Sequence, residues 1–295
     1  NGDLDASFGV GGIAEHTTGG MKSGSGLFIQ DDGAIFVVGT DLSGDRDYQL
    51  TKYTKDGDLD TSFSSDGTVK THHHGNDYAQ KVVAYNDNHN GSETNDGKVL
   101  VVGSFGSNFG GSFGLVRYNA DGTLDDTFSD DGKALYDSVN QGNVSSDDRG
   151  LDIELLSNGK ILVGGWRRET RSGNDENFQV ARFNDDGSID TTFGNNGAVL
   201  TSVAGGNEDY ATSMAVDANG NILIAGGVGS SNAASPDSAV VRYLPNGVLD
   251  TSFGVGGKVI LQIGTDDGRT NVDIVVQDNG KIVFVGSTYN SSDND

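Results

Sequence analysis

Short, strongly apolar runs recur along the chain, each closing on a glycine. They are Ala34-Ile35-Phe36-Val37-Val38-Gly39, Lys98-Val99-Leu100-Val101-Val102-Gly103, Lys160-Ile161-Leu162-Val163-Gly164-Gly165, Asn221-Ile222-Leu223-Ile224-Ala225-Gly226 and Lys281-Ile282-Val283-Phe284-Val285-Gly286. Runs of this length, rich in β-branched residues and bounded by turn formers, predict buried strands. Before each stands an Asn-Gly or Asp-Gly pair, and before that a second apolar stretch such as Met214-Ala215-Val216 or Val272-Asp273-Ile274-Val275-Val276. Asn-Gly between two β-rich runs predicts a hairpin, because both residues accept positive φ. A polar loop of variable length follows, then a strand ending in an aromatic: Tyr48–Tyr53, Phe113–Tyr118, Phe178–Phe183 and Ser238–Tyr243.

Between these blocks one phrase occurs five times: Asn/Asp-Gly, one residue, Leu/Ile-Asp, two small or polar residues, Phe. It spans residues 1–8, 56–63, 121–128, 186–193 and 246–253, with the glycines 55, 65, 65 and 60 residues apart. A last short strand follows it, as in Gly67–Thr71, Gly197–Thr201 and Gly257–Leu261. Four antiparallel strands per unit of about 60 residues, with no helical periodicity, predict an all-β, five-bladed β-propeller of four-stranded blades. The coils of a β-helix are shorter than this period.

The phrases xxGxLDxSF, DGKIxVxG and (V/A)RY also resemble the Delta-60 repeats of secreted and surface bacterial proteins, over essentially the whole chain. The layout is similar to the NHL repeat, another propeller blade. The resemblance implies a propeller in a secreted or cell-surface setting, and implies no catalytic residues.

Counting strands leaves one short. The chain starts where a third strand has just ended, and Gly286 to Asp295 is too short to reach the next one. The expectation is therefore a single propeller domain over residues 1–295, its fifth blade split between the termini and lacking one strand. Such a gap leaves unpaired edges, to be filled by flanking sequence, by further blades or by a neighbouring copy. A start at Asn1 rather than Met reads as a processed or excised piece of something longer.

Nineteen basic against 43 acidic residues give a net charge of −24, which argues against nucleic acid and anionic membrane as partners. No apolar run is long enough to insert in a membrane, and zero cysteines exclude disulfides and thiolate metal sites.

The repeated Asp5, Asp60, Asp125, Asp190 and Asp250 read as structural turn residues, since five equivalent active sites are implausible and Asp before two small residues suits an Asx-turn. Lys52, Arg117, Arg182 and Arg242 are expected to form solvated ion pairs with acids of the same or the next blade. The acidic stretch with Asp126, Asp130 and Asp131 offers hard oxygen ligands of the kind Ca²⁺ prefers. His72-His73-His74 reads as a surface segment, at most two of whose rings share a face. Trp166, Arg167 and Arg168 form the most basic stretch and the sole tryptophan, a ligand-binding candidate by ring stacking, although the ring could equally cover a gap at the blade edge. The long loop Asn86–Asp96 is a second, variable feature.

With no Ser-His-Asp signature, Walker loop, GxGxxG or HExxH, the chain reads as a non-enzymatic structural or adhesive module. Its expected partners are a protein or glycan on a cell surface or matrix, or copies of itself. The alternatives are a carbohydrate-binding propeller, a filament subunit joined by strand donation, and a propeller hydrolase or lyase, which would need clustered acids or a metal at the central channel.

Overall fold

The computed structural model describes residues 2–15, 21–73, 75–85, 97–106, 111–137, 147–168, 175–203, 208–229, 237–261 and 272–286. Among these there is no α-helix, and every ladder is antiparallel. The first sheet comprises β1 (Met21–Ile29), β2 (Ile35–Asp41), β3 (Asp47–Tyr53) and β4 (Thr68–Thr71). The second comprises β5 (Tyr78–Ala84), β6 (Val99–Phe105), β7 (Ser112–Tyr118) and β8 (Lys133–Tyr136). The third comprises β9 (Asp147–Leu155), β10 (Ile161–Arg168), β11 (Glu176–Phe183) and β12 (Ala198–Thr201). The fourth comprises β13 (Tyr210–Val216), β14 (Ile222–Val228), β15 (Asp237–Tyr243) and β16 (Lys258–Leu261), and the fifth β17 (Asp273–Val276) and β18 (Ile282–Val285).

Each sheet is one blade. Its first strand contacts the first strand of the next blade, from β1 through β5, β9 and β13 to β17. Ser25, Lys81, Asp152, Ser213 and Asp273, one from each first strand, line a single axial cavity of about 300 Å³. The second strands of the second, third and fourth blades are covered on both faces, so Val99, Leu100, Val101 and Val102 are all fully buried. That explains their unbroken apolar runs, in place of the alternation of a half-exposed strand.

Two glycine positions carry the architecture. Gly39, Gly103, Gly165 and Gly226 sit opposite a register shift in the first strand. There a Cβ would lie 1.8 to 2.1 Å from a backbone carbonyl oxygen. In the repeated phrase, Gly57, Gly122, Gly187 and Gly247 take φ of 85° to 86° or 84°. Each also lies against the phenyl ring that ends the preceding phrase, Phe8, Phe63, Phe128 or Phe193. Those contacts, with Gly9, Ser64, Ser129 and Gly194 donating backbone N–H to the next phrase, staple each blade to its successor.

The N-terminal segment supplies such a staple through Phe8, but no ladder strand among the described residues, and β18 pairs only with β17. Among the described residues the fifth blade thus shows two ladder strands. The outer faces of the first and fifth blades do not cover each other as neighbouring blades do. Leu27 is 59 % exposed, against at most 5 % for Val82, Ile153, Met214 and Ile274 at the same register, and Val285 is 61 % exposed.

Candidate functional site

The turn aspartates have a common geometry. Oδ1 of Asp5, Asp60, Asp125, Asp190 and Asp250 accepts the backbone N–H of the residue two positions on, and that residue's hydroxyl as well. Oδ2 of Asp125, Asp190 and Asp250 accepts from Arg117, Arg182 and Arg242 at 2.6, 2.8 and 2.7 Å. The guanidinium groups then lie over the rings of Phe128, Phe193 and Phe253, with centroid distances of 4.5, 4.6 and 4.5 Å. Arg117 and Arg182 also donate to a carbonyl of the next blade, at Asp185 and Pro245. Burial pushes the Asp125 carboxyl up, but hydrogen bonds from Lys98 and Thr127 and the Arg117 charge outweigh it and hold the group well below the usual range. The expectation of solvated pairs is corrected here: the Arg117 side chain is only 3 % exposed, and the pair forms part of the blade staple.

Asp126, Asp130 and Asp131 are exposed, and Asp131 is engaged by the backbone N–H of Lys133. Among the described residues, the acidic and histidine groups that converge are instead Asp47, His72 and Asp77. His72 Nδ1 lies 2.7 Å from Asp47, while Asp77 accepts backbone N–H groups from His73 and Gly106. The loop Asn86–Asp96 and His74 lie outside the described residues.

Trp166 is 6 % exposed. Arg149 and Arg168 lie over its ring at 5.1 and 5.8 Å, and Tyr210 meets it edge-on at 5.2 Å. Its ring therefore offers no open face for stacking. Arg168 is tied to Glu176, with Nε 2.6 Å from Oε1. Arg167 points elsewhere. It lines a cleft of about 600 Å³ with Tyr136, Gln179, Leu200, Tyr243 and Leu249, which belong to the second, third and fourth blades. Gly165 faces Gln179 across the β10–β11 ladder, so Arg167 and Gln179 share one face of the sheet as diagonal neighbours. Gln179 is 1 % exposed, and neither its Oε1 nor the Arg167 Nε finds a hydrogen-bond partner among the described residues. Arg167 Nε lies 3.9 Å from Asp148. Burial, then the Asp148 charge, pushes the Tyr136 hydroxyl above its ordinary value, and Arg167 opposes them.

A second cleft, of about 400 Å³, lies between the third and fourth blades, lined by Glu154, Ser157, Arg182, Asp217, Asn219 and Pro245 among others. Glu154 breaks the repeat. It faces Leu162 across the ladder, where the other blades place Phe28, Val83, Ala215 and Val275 opposite the corresponding residue. Burial, then the charge of Asp152, pushes its carboxyl up to about 7, with Lys81 opposing. Asp152 itself is saturated, accepting from Lys81, Ile153 N–H, Met214 N–H and the Ser213 hydroxyl. Ser213 also reaches Asp273 at 2.7 Å, so polar groups of the last four blades are linked round the axis. Neither Gln179 nor Glu154 was singled out by motif reading. Aligning the five first strands exposes Glu154 as the charged residue in an apolar column, whereas nothing in the sequence marks Gln179.

Four segments, residues 30–63, 94–128, 156–193 and 218–253, match the model of the family described as a domain of unknown function (DUF5122) beta-propeller. The repeats are propeller repeats. No curated protein matches the chain in sequence. Among solved structures, the propeller resembles the α-L-arabinofuranosidase Arb93A from Fusarium graminearum, solved with an iminosugar inhibitor. The identity is 14 % and the TM-score 0.54, over 90 % of this chain and 80 % of that one. The polysaccharide lyase Uly1 follows at 11 % identity and a TM-score of 0.47, over 90 % of this chain and 66 % of that one. These likenesses concern the fold. The likeness to the arabinofuranosidase nevertheless corrects the expectation of a non-enzymatic structural or adhesive module, which took a propeller frame without familiar catalytic motifs as the mark of such a role. The frame this propeller resembles is that of an α-L-arabinofuranosidase.

Proposed function

We propose that this propeller binds a glycan, and that the Arg167–Gln179 cleft holds it. One observation carries the reading: Gln179 and Arg167 line the same cleft of about 600 Å³, and among the described residues neither the buried Gln179 Oε1 nor the buried Arg167 Nε, 3.9 Å from Asp148, has a hydrogen-bond partner. A hydroxyl group both donates and accepts, so neighbouring hydroxyls of a sugar complement such a pair, while a purely apolar ligand would leave both unmet. The side chains of Tyr136, Leu200 and Leu249 supply apolar wall around a few polar groups, the usual make-up of a small-ligand site. The fold likeness to an arabinofuranosidase supports the ligand class, and the repeat phrases support a narrower kinship with Delta-60 repeats.

The test is calorimetric titration with arabino- and xylo-oligosaccharides, comparing wild type with Gln179→Leu and Arg167→Ala. Each variant is expected to weaken binding by roughly 5- to 100-fold, the effect of one buried hydrogen-bonding group. Absence of binding at millimolar sugar, or binding indifferent to both variants, would overturn the reading.

A further inference from the structure

We propose that Glu154 is a general acid that protonates the glycosidic oxygen of a glycan lying in the cleft between the third and fourth blades, and that the protein hydrolyses that bond. The inference rests on the glycan-binding reading and goes beyond it by assigning an activity and the group that performs it.

The argument begins with the repeat. Five first strands occupy equivalent places round the axis, and four carry Phe28, Val83, Ala215 and Val275 at the position in question. In the first, second and fourth blades the apolar side chain there packs against the core, as Phe28, Val83 and Ala215, while Val275 of the fifth blade is 55 % exposed. A partly buried glutamate at that position gains nothing for the blade and brings a desolvation cost. Such departures from local consistency concentrate at functional sites. The second observation is the cleft, since Glu154 lines a cavity of about 400 Å³ with Ser157, Arg182, Asp217 and Asn219. Oxygen and nitrogen groups from three segments therefore border the space in which a ligand oxygen would meet the carboxyl. The third is the neighbouring charge. Asp152, two residues back on the same strand face, is held by Lys81 and three further donors. Burial, then the charge of Asp152, keeps the Glu154 proton in place up to about neutral pH. The charged groups around Glu154 are Asp152 on its own strand, Lys81 on β5, Arg182 on β11 and Asp217 in the turn after β13. Pro245 borders this cleft while Gly247, Val248 and Leu249 border the Arg167–Gln179 cleft, so one short segment touches both.

The step balances with water alone. The Glu154 O–H proton passes to the glycosidic oxygen as the bond from that oxygen to the anomeric carbon breaks. A water oxygen then bonds to the anomeric carbon, and its proton returns to the Glu154 carboxylate. A carboxylic acid that stays protonated near neutral pH suits this transfer, because general acids work best with a pKa close to the working pH.

The experiment measures reducing-end release from the same oligosaccharides by wild type, Glu154→Gln and Glu154→Ala, alongside calorimetric binding. Glu154→Gln keeps shape and a donor but has no proton to give, and is expected to lower cleavage by about 10²- to 10⁴-fold while leaving binding within a few-fold. In wild type the rate should fall as pH rises through about 7. Binding without cleavage at any pH, or cleavage indifferent to Glu154→Gln, would overturn the activity and leave the glycan-binding reading standing. Absence of binding removes both. A carboxyl NMR titration, with Glu154→Gln for assignment, needs no substrate: an ordinary glutamate value would also overturn the proposal.

Discussion

Asp190 shows how one side chain serves several levels of the structure. Its Oδ1 closes the turn onto Thr192, and its Oδ2 takes Arg182 at 2.8 Å and Lys160 at 3.2 Å. Arg182, so held, covers the Phe193 ring and donates to Pro245 in the next blade. Replacing Asp190 by Asn keeps the turn bond and deprives two mostly buried cations of their counter-charge. We expect Asp190→Asn to cost about 2–4 kcal/mol in chemical denaturation, as broken buried pairs do. Asp5→Asn, at an exposed site whose carboxylate is bonded to Ser7 alone among the described residues, should leave stability unchanged. Equal effects from the two would show that the staple contributes no more than the turn. The Asx-turn was legible from five repetitions of Asp before two small residues. The burial of its arginine was not, because whether an Arg one residue before an aromatic faces solvent depends on the blade packed above it.

At the scale of the element, the glycine that closes each second strand answers a bulge in its neighbour. The first strand shifts register between Ala211 and Ser213, bringing the Tyr210 carbonyl to where a Cβ on Gly226 would stand, 1.9 Å away. Backbone cannot retreat there without breaking the ladder. Gly226→Ala is expected to lose at least about 2 kcal/mol, read as a drop in the urea midpoint. Gly24→Ala, where nothing lies within 4 Å, is the control and should change little. A tolerated Gly226→Ala would mean that the bulge relaxes. The recurrence of this glycine was plain in the sequence, but its reason was not, since the bulge lies on a different strand.

For the whole molecule, charge and burial set the pH range of stability. Asp41, held at about 2 chiefly by its hydrogen bond to Lys70, contributes stability that is present above the ordinary aspartate value and is lost as pH falls towards 2. Glu154 works in the opposite sense. Its folded-state value of about 7 lies above the unfolded value, so stability falls as pH rises from about 4.5 to 7. Glu154→Gln removes that decline. The variant should match wild type at pH 4.5 and exceed it by on the order of 2 kcal/mol at pH 8 in urea titrations. Parallel curves for the two proteins would mean that Glu154 is solvated and ordinary. The chain by itself determined the strand count per unit, the hairpins and the propeller class, because those follow from side-chain periodicity and turn chemistry repeated five times. Tertiary structure decided what the blades bring together. It buried Trp166, which the sequence offered as a ligand platform, against two arginines and a tyrosine. It left Asp126, Asp130 and Asp131 exposed and set Arg167 beside Gln179, whose Oε1 has no hydrogen-bond partner among the described residues. It also placed Glu154 at a cleft beside Asp152. Local sequence sets which face of a strand a residue occupies; the neighbouring blade sets whether that face meets water, a charge or a cavity.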